Sequence, residues 1–167
     1  MQVLVADTSV FIDLERGSLL EASFRLKCRF VVPDQIYEKE LKKNFNGEKL
    51  MRLGLVIEQL DDDVVNLALT YQLRNGDLSF PDCSALALAR TLPGVLLTGD
   101  NELRQFAIAE SVECHGVLWL LDKIEAAAVV DVRKLYNGLT AMWKHPRRRL
   151  PEQEVHRRLA RYAERLP

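Results

Sequence analysis

Two stretches of this chain run apolar and then stop on a carboxylate. In VLVADTSVFIDL, residues 3–14, the run ends at Asp7; in VLLTGDNELRQFA it ends on small residues and Asp100. If both runs are parallel strands, the two acids reach the same edge of a sheet, where functional groups gather in open α/β folds. A third acid sits on a helical pattern. At 100° per residue, Glu40 in DQIYEKELKKNF falls between Ile36 and Tyr37 on the apolar face completed by Leu41 and Phe45, while Glu38, Lys39 and Lys42 face the other way. The fourth, Asp82 in SFPDCSALALAR, follows Pro81 in a first helical turn, at the centre of the face formed by Ala85, Leu86 and Ala89. Four carboxylates brought together would repel one another, and a hard divalent cation with oxygen ligands, Mg2+ or Mn2+, removes that conflict. Ordinary roles stand beside this one. Asp7, Thr8 or Ser9 can cap the following helix, an acid at position 82 meets a helix dipole favourably, and Thr98 suits a strand as well as it suits donation to an acidic site.

The elements that must position these residues are legible as alternation. Short β-rich runs at residues 3–6, 30–32, 55–57 and 95–98 are separated by helical patterns at 35–45, 62–73 and 82–92, which predicts a mainly parallel sheet with helices on both faces. Further helices are expected at 102–110, 117–129, 132–143 and 152–166. The punctuation KHPRRRLP at residues 144–151 divides the chain into an expected domain over residues 1–145 and a basic helical tail over 146–167. Val155, Leu159, Tyr162 and Leu166 recur at spacings of four, three and four, so the tail is amphipathic and docks either on the domain or on a second copy in a homodimer.

Composition sets the outer bounds. A chain of 167 residues, 48% hydrophobic and 28% charged, suits one domain with a real core. No stretch has the roughly 20 uninterrupted apolar residues of a membrane span, and the short apolar start lacks a basic leader, so a cytoplasmic protein is expected. Cys28, Cys83 and Cys114 are odd in number and far apart, which fits reduced thiols better than disulfides or a zinc ribbon. His115, His145 and His156 lack metal-ligand spacing, and Trp119 and Trp143 lie on helical patterns as core residues do. The net charge of −1 hides an asymmetry: from Lys144 to Pro167 eight basic residues face three acidic ones, against fifteen and twenty-one before it. An acidic body with a basic tail suits a polyanion partner if a cation offsets the acids.

These stretches together carry a family resemblance. VADTSVFIDL, PDQIYEKEL, PDCSALALA and LLTGDNELR resemble, in order and spacing, the four motifs of the PIN-domain family, which includes the ribonuclease toxins of prokaryotic toxin–antitoxin pairs. The resemblance covers residues 1 to about 125; HGVLWLLDKIEAA and PRRRLP are similar to segments of a subset of uncharacterised prokaryotic PIN proteins. It implies a three-layer α/β/α fold with a C-terminal helical extension. It further implies that Asp7, Glu40, Asp82 and Asp100 bind Mg2+ or Mn2+ and support hydrolysis of RNA phosphodiesters, with a cognate antitoxin as an implied partner. Thr8, Ser9, Thr98 and Glu102 are accessory candidates, and Arg147, Arg148 and Arg149 are candidates for RNA phosphate contact. Where many members have a further aspartate after the last motif, this chain has Asn101 and Glu102, which bears on a second metal position. Two other classes fit less well: a haloacid-type phosphatase needs an aspartate where Ser9 stands, and ADTSVF lacks the glycines of a dinucleotide-binding turn. The remaining rival is a PIN-fold module that binds RNA or protein without cutting.

Overall fold

Strand β1 (Gln2–Ala6) lies at the centre of a five-stranded, all-parallel sheet in the order β3-β2-β1-β4-β5. The computed structural model describes residues 1–167 throughout. The other strands are β2 (Cys28–Pro33), β3 (Val56–Glu58), β4 (Val95–Leu97) and β5 (Cys114–His115). Leu4, Val5 and Ala6 are wholly buried, as expected for a strand covered on both faces. The register sets Val5 beside Val31 on one side and beside Leu96 on the other.

The chain winds outward from β1 through β2 to β3, then returns to the opposite side of β1 for β4 and β5. Strand order therefore reverses between β1 and β4. A reversal of this kind opens a crevice beyond the carboxyl ends of the two strands, because their connections leave in opposite directions. Asp7 follows one of those ends, and Thr98, Gly99 and Asp100 follow the other.

Ten helices flank the sheet. They are α1 (Thr8–Arg16), α2 (Leu20–Ser23), α3, α4 (Gly47–Leu53), α5 (Asp62–Arg74), α6 (Phe80–Thr91), α7 (Asn101–Ala109), α8 (Val117–Ala126), α9 (Val132–Lys144) and α10 (Glu152–Glu164). Helix α3 is continuous but irregular: Asp34–Ile36 is α-helical, Tyr37–Leu41 forms a π turn, and Lys42–Asn44 is α-helical again. Helix α6 is buried from Cys83 through Ala89 and packs against β1, β2 and β4, with α3 and α5 beside it. Its alanines allow that close approach. On the other face, Phe11 of α1, Phe24 and Phe30 of β2 form an aromatic cluster with ring centroids 4.7–6.2 Å apart.

Helix α9 crosses α1 where two glycines meet. A Cβ on Gly138 would lie 2.7 Å from the Gly17 carbonyl oxygen, and one on Gly17 would lie 2.9 Å from that of Gly138. Backbones this close leave no room for a side chain, so the crossing fixes α9 against α1 and aims the segment that follows, residues 145–151, back over the sheet edge.

Helix α10 belongs to the same hydrophobic core. Val155 and Tyr162 are fully buried in it, with Leu159 partly covered. Its arginines are tied to α8: Arg158 donates through Nε and Nη2 to the two oxygens of Asp122 (2.8 and 2.6 Å), and Arg161 and Arg165 donate to Glu125 (2.5 and 2.6 Å). The three cysteines are free thiols, and burial pushes those of Cys83 and Cys114 up to about 11, so they stay protonated. No helix is long and apolar enough to cross a membrane.

Candidate active site

The crevice beyond β1 and β4 is a cleft of about 350 Å3. Asp7, Glu40, Asp82 and Asp100, each from a different segment, all line it. Each arrives by a different local device.

Asp7 is the residue between β1 and α1 and is only 6% exposed. Its backbone N–H donates to the Leu97 carbonyl at 2.8 Å, extending the β1–β4 pairing past the strand ends. Its Oδ2 accepts from the hydroxyls of Ser9 and Thr98, both at 2.9 Å. These hydroxyls are used twice. Ser9 Oγ accepts from the Gly99 N–H (2.9 Å) and Thr98 Oγ1 from the Asp100 N–H (3.0 Å), so the two strand-end loops are held to each other through Asp7. The buried Thr8 Oγ1 lies near the Glu40 carboxylate, whose pKa burial raises and this hydroxyl only partly holds back, yet it forms no hydrogen bond of good geometry.

Asp82 and Asp100 combine helix capping with a place in the cleft. Asp82 completes a capping box at the start of α6: its N–H donates to Ser79 Oγ at 3.1 Å, and its Oδ2 accepts from the Ser79 N–H at 3.4 Å. Asp100 caps α7, with Oδ1 accepting from the Leu103 N–H at 3.0 Å. In each, one carboxyl oxygen serves the helix and the other remains for the cleft. Glu40 sits half-buried in the π turn of α3, flanked by buried Tyr37 and Leu41, whereas Glu38 is exposed and pairs with Lys42 at 3.3 Å. A regular helix, assumed in reading the face from sequence, is absent here. A π turn inserts an extra residue into one turn, a feature frequent at functional sites.

The electrostatics record the crowding. Burial, then the neighbouring Asp82 and Glu40, push Asp7 from 3.8 to about 6, against the opposing pull of Ser9 and Thr98. Glu40 is raised chiefly by burial and further by Asp82; Asp82 is raised chiefly by burial and further by Asp100. Four acids thus feel one another through one space. They surround it without closing on a point: nowhere in the chain do three His, Cys, Asp or Glu side chains stand ready to enclose an ion. The donor set still suits a hard divalent cation in kind, being all oxygen, mutually repelling and accompanied by the unpartnered Thr8 hydroxyl.

The remaining candidates divide. Thr8 and Ser9 line the cleft, and Thr98 supports Asp7 from behind. Glu102 is exposed in the first turn of α7 and does not line the cleft. Arg147 and Arg149 line it, brought over by the segment after α9; Arg148 turns away, its guanidinium 4.4 Å from the Trp143 ring centroid. None of the three histidines lines it. Sequence reasoning missed Ile12, Asp13, Arg16 and Gly99, which complete the lining. Ser9, Asp13 and Arg16 fall at spacings of four and three, opposite buried Val10, Phe11 and Leu14, so a polar stripe on α1 was the available signal. Asp13 pairs with Arg16 at 3.6 Å, and burial raises its pKa against the pull of Arg16 and Arg149.

A family model described as a PIN domain matches residues 3–164. Among solved structures, the fold is similar to a PilT N-terminus domain protein from the hyperthermophilic archaeon Sulfolobus solfataricus, with a TM-score of 0.57 and 15% identity over 74% of this chain and 93% of that one. No curated protein matches. The family match runs from β1 to the last turn of α10, taking in both the acid cleft and the basic tail, and the chain belongs to the PIN-domain family, whose fold is of the nuclease type.

Proposed function

We propose that this protein is a metal-dependent ribonuclease that hydrolyses RNA phosphodiester bonds with Mg2+ or Mn2+. The observation that carries the reading is the joining, in one cleft, of Asp7, Glu40, Asp82 and Asp100, with Asp13 as a fifth carboxylate, and three arginines, Arg16, Arg147 and Arg149. Acids alone would repel a phosphodiester, and arginines alone would only bind it. A divalent cation held by the carboxylates would supply an activated water and a polarised phosphate for in-line displacement. The protein's own part is positional. Ser9 and Thr98 fix Asp7 through one oxygen and leave the other free, the capping bonds do the same for Asp82 and Asp100, and the arginines neutralise the backbone phosphates of the strand. A toxin role with a cognate antitoxin rests on the motif resemblance alone.

The test is cleavage of defined RNAs with Mg2+, Mn2+ or chelator. Cleavage is expected only with metal, none in Asp7→Asn, a loss of at least about 100-fold in Glu40→Gln, as for removal of one transition-state interaction, and little change in Glu38→Gln. Cleavage that persists in chelator, or equal losses at Glu38 and Glu40, would overturn the assignment. Metal-independent RNA binding without any cleavage would favour a binding module.

A further inference from the structure

Beside the acid cleft lies a second cavity of about 260 Å3, between the start of α8 and the segment entering α10. The two spaces adjoin, sharing Asp13, Gly99 and Arg149 in their linings. They differ in kind. The first has Ile12 as its one hydrophobic lining residue, whereas Val117, Leu118, Trp119 and Leu150 all contribute to the second among its charged residues. On its lining the His115 imidazole stacks parallel to the Trp119 indole, centroids 4.4 Å apart and planes within 1°; Lys123 Nζ lies 4.3 Å from the centroid of the same indole, so the face left for stacking is the outer face of His115.

Arg104 adds directed donors. One Nη2 hydrogen bond goes to the Thr98 carbonyl at 3.0 Å, while the buried Nε has no partner. A Cβ on Gly116 would lie 2.6 Å from Arg104 Nη2, so the glycine is what lets the guanidinium lie against the backbone here. The acids of this cavity are already engaged: Asp122 and Glu154 both accept from Arg158, and Asp13 pairs with Arg16 at 3.6 Å.

A strand with its phosphate against Arg149 must place the adjoining base within a nucleotide's reach. Beside the acid cleft, the hydrophobic residues of the second cavity, the outer face of His115 and the Arg104 guanidinium give that base its most congenial place. We infer that the second cavity is a base subsite, taking one unpaired nucleobase of the RNA strand whose phosphate occupies the acid cleft, against the outer face of His115, which Trp119 backs, and within reach of Arg104. Single-stranded RNA is recognised in this manner, through base stacking and hydrogen bonds to exposed edges. The inference rests on the nuclease reading for the identity of the strand.

The experiment titrates the inactive Asp7→Asn protein with a pentanucleotide RNA and with the same ribose-phosphate backbone lacking bases, following tryptophan fluorescence, which only Trp119 and Trp143 supply. The RNA is expected to bind about tenfold or more tighter than the abasic strand. Adding His115→Ala, or filling the cavity with Leu150→Phe, is expected to erase most of that difference while leaving abasic binding unchanged; melting curves confirm that each variant is folded. Equal binding of the two strands, or a preference that survives in both variants, overturns the subsite. The readings fail separately. Metal-dependent cleavage by the wild type without base preference removes the subsite alone, and base preference without cleavage under any metal removes the nuclease assignment alone.

Discussion

Asp7 carries opposing demands in a single carboxyl group. Two hydroxyls hold it as an ion would be held, yet burial and two acidic neighbours hold its pKa near 6. In the unfolded chain the same group ionises near its ordinary value of 3.8. Between about pH 4 and 6 the folded state therefore binds more protons than the unfolded one, and stability falls as pH rises through that window, by about 3 kcal/mol at most. In chelator, the wild type is expected to melt lower at pH 7.5 than at 4.5, and Asp7→Asn, whose amide oxygen can still accept from Ser9 and Thr98, should lose most of that drop. Thermal melting of both proteins across the window checks it; a variant less stable than wild type at pH 7.5 would contradict the repulsion. At this scale the sequence was partly legible. Asp7 and Asp100 announced themselves by ending apolar runs. Asp82 and Asp100 proved to be both helix caps and cleft residues, a duality sequence cannot resolve, because a helix N-terminus favours an acid whether or not a ligand waits beyond it.

Elements were legible in proportion to their length. The long helices with a 3.6-residue period emerged near their expected positions, and β1, β2 and β4 as apolar runs. Strand β5 has only two residues, too few for any alternation, and it is recognised through its pairing with β4. The π turn of α3 depends on a hydrogen-bond shift that residue types do not encode, so Glu40 was placed by a regular-helix argument that the backbone does not follow. The amphipathic tail was legible as a helix, but not its pairing with α8. Arg158 is 9% exposed and bound to both oxygens of Asp122, whereas Arg157 points largely to solvent. Truncating Arg158 takes from Asp122 its two-pronged partner, leaving only the 3.2 Å bond from Arg161, and removes packing. Arg158→Ala is expected to cost about 1–3 kcal/mol, a drop of several degrees in Tm for a chain of this size, and Arg157→Ala less than about 0.5 kcal/mol. Paired melting curves decide; equal effects would mean that the tail is not anchored through this pair.

Across the whole molecule, the contrast of acidic body and basic tail resolves into two sets of arginines. Arg158, Arg161 and Arg165 are neutralised by Asp122 and Glu125, while Arg147 and Arg149 are delivered to the cleft and Arg148 is spent on Trp143. Of the tail arginines, only the delivered pair should count toward RNA. Each lost phosphate contact lowers the logarithmic salt slope by about 0.7 for single strands, so Ala at 147 and 149 should flatten it by about 1.4 and Ala at 148 by nothing. Binding titrations from low to moderate salt read this directly; an equal effect at Arg148 would return all three to a diffuse basic surface. The same geometry orders events during synthesis. Asp7 is made 91 positions before its partner Thr98, and Arg147 and Arg149 come later still. Contacts so distant along the chain form late, since a long loop must close before they stabilise anything. A polypeptide still emerging from the ribosome thus has Asp7 before it has either the strand that seats it or the arginines that line the cleft. The cleft is complete only once the chain through Arg149 is free to fold, so a polypeptide whose synthesis stops short of that residue lacks the cleft altogether.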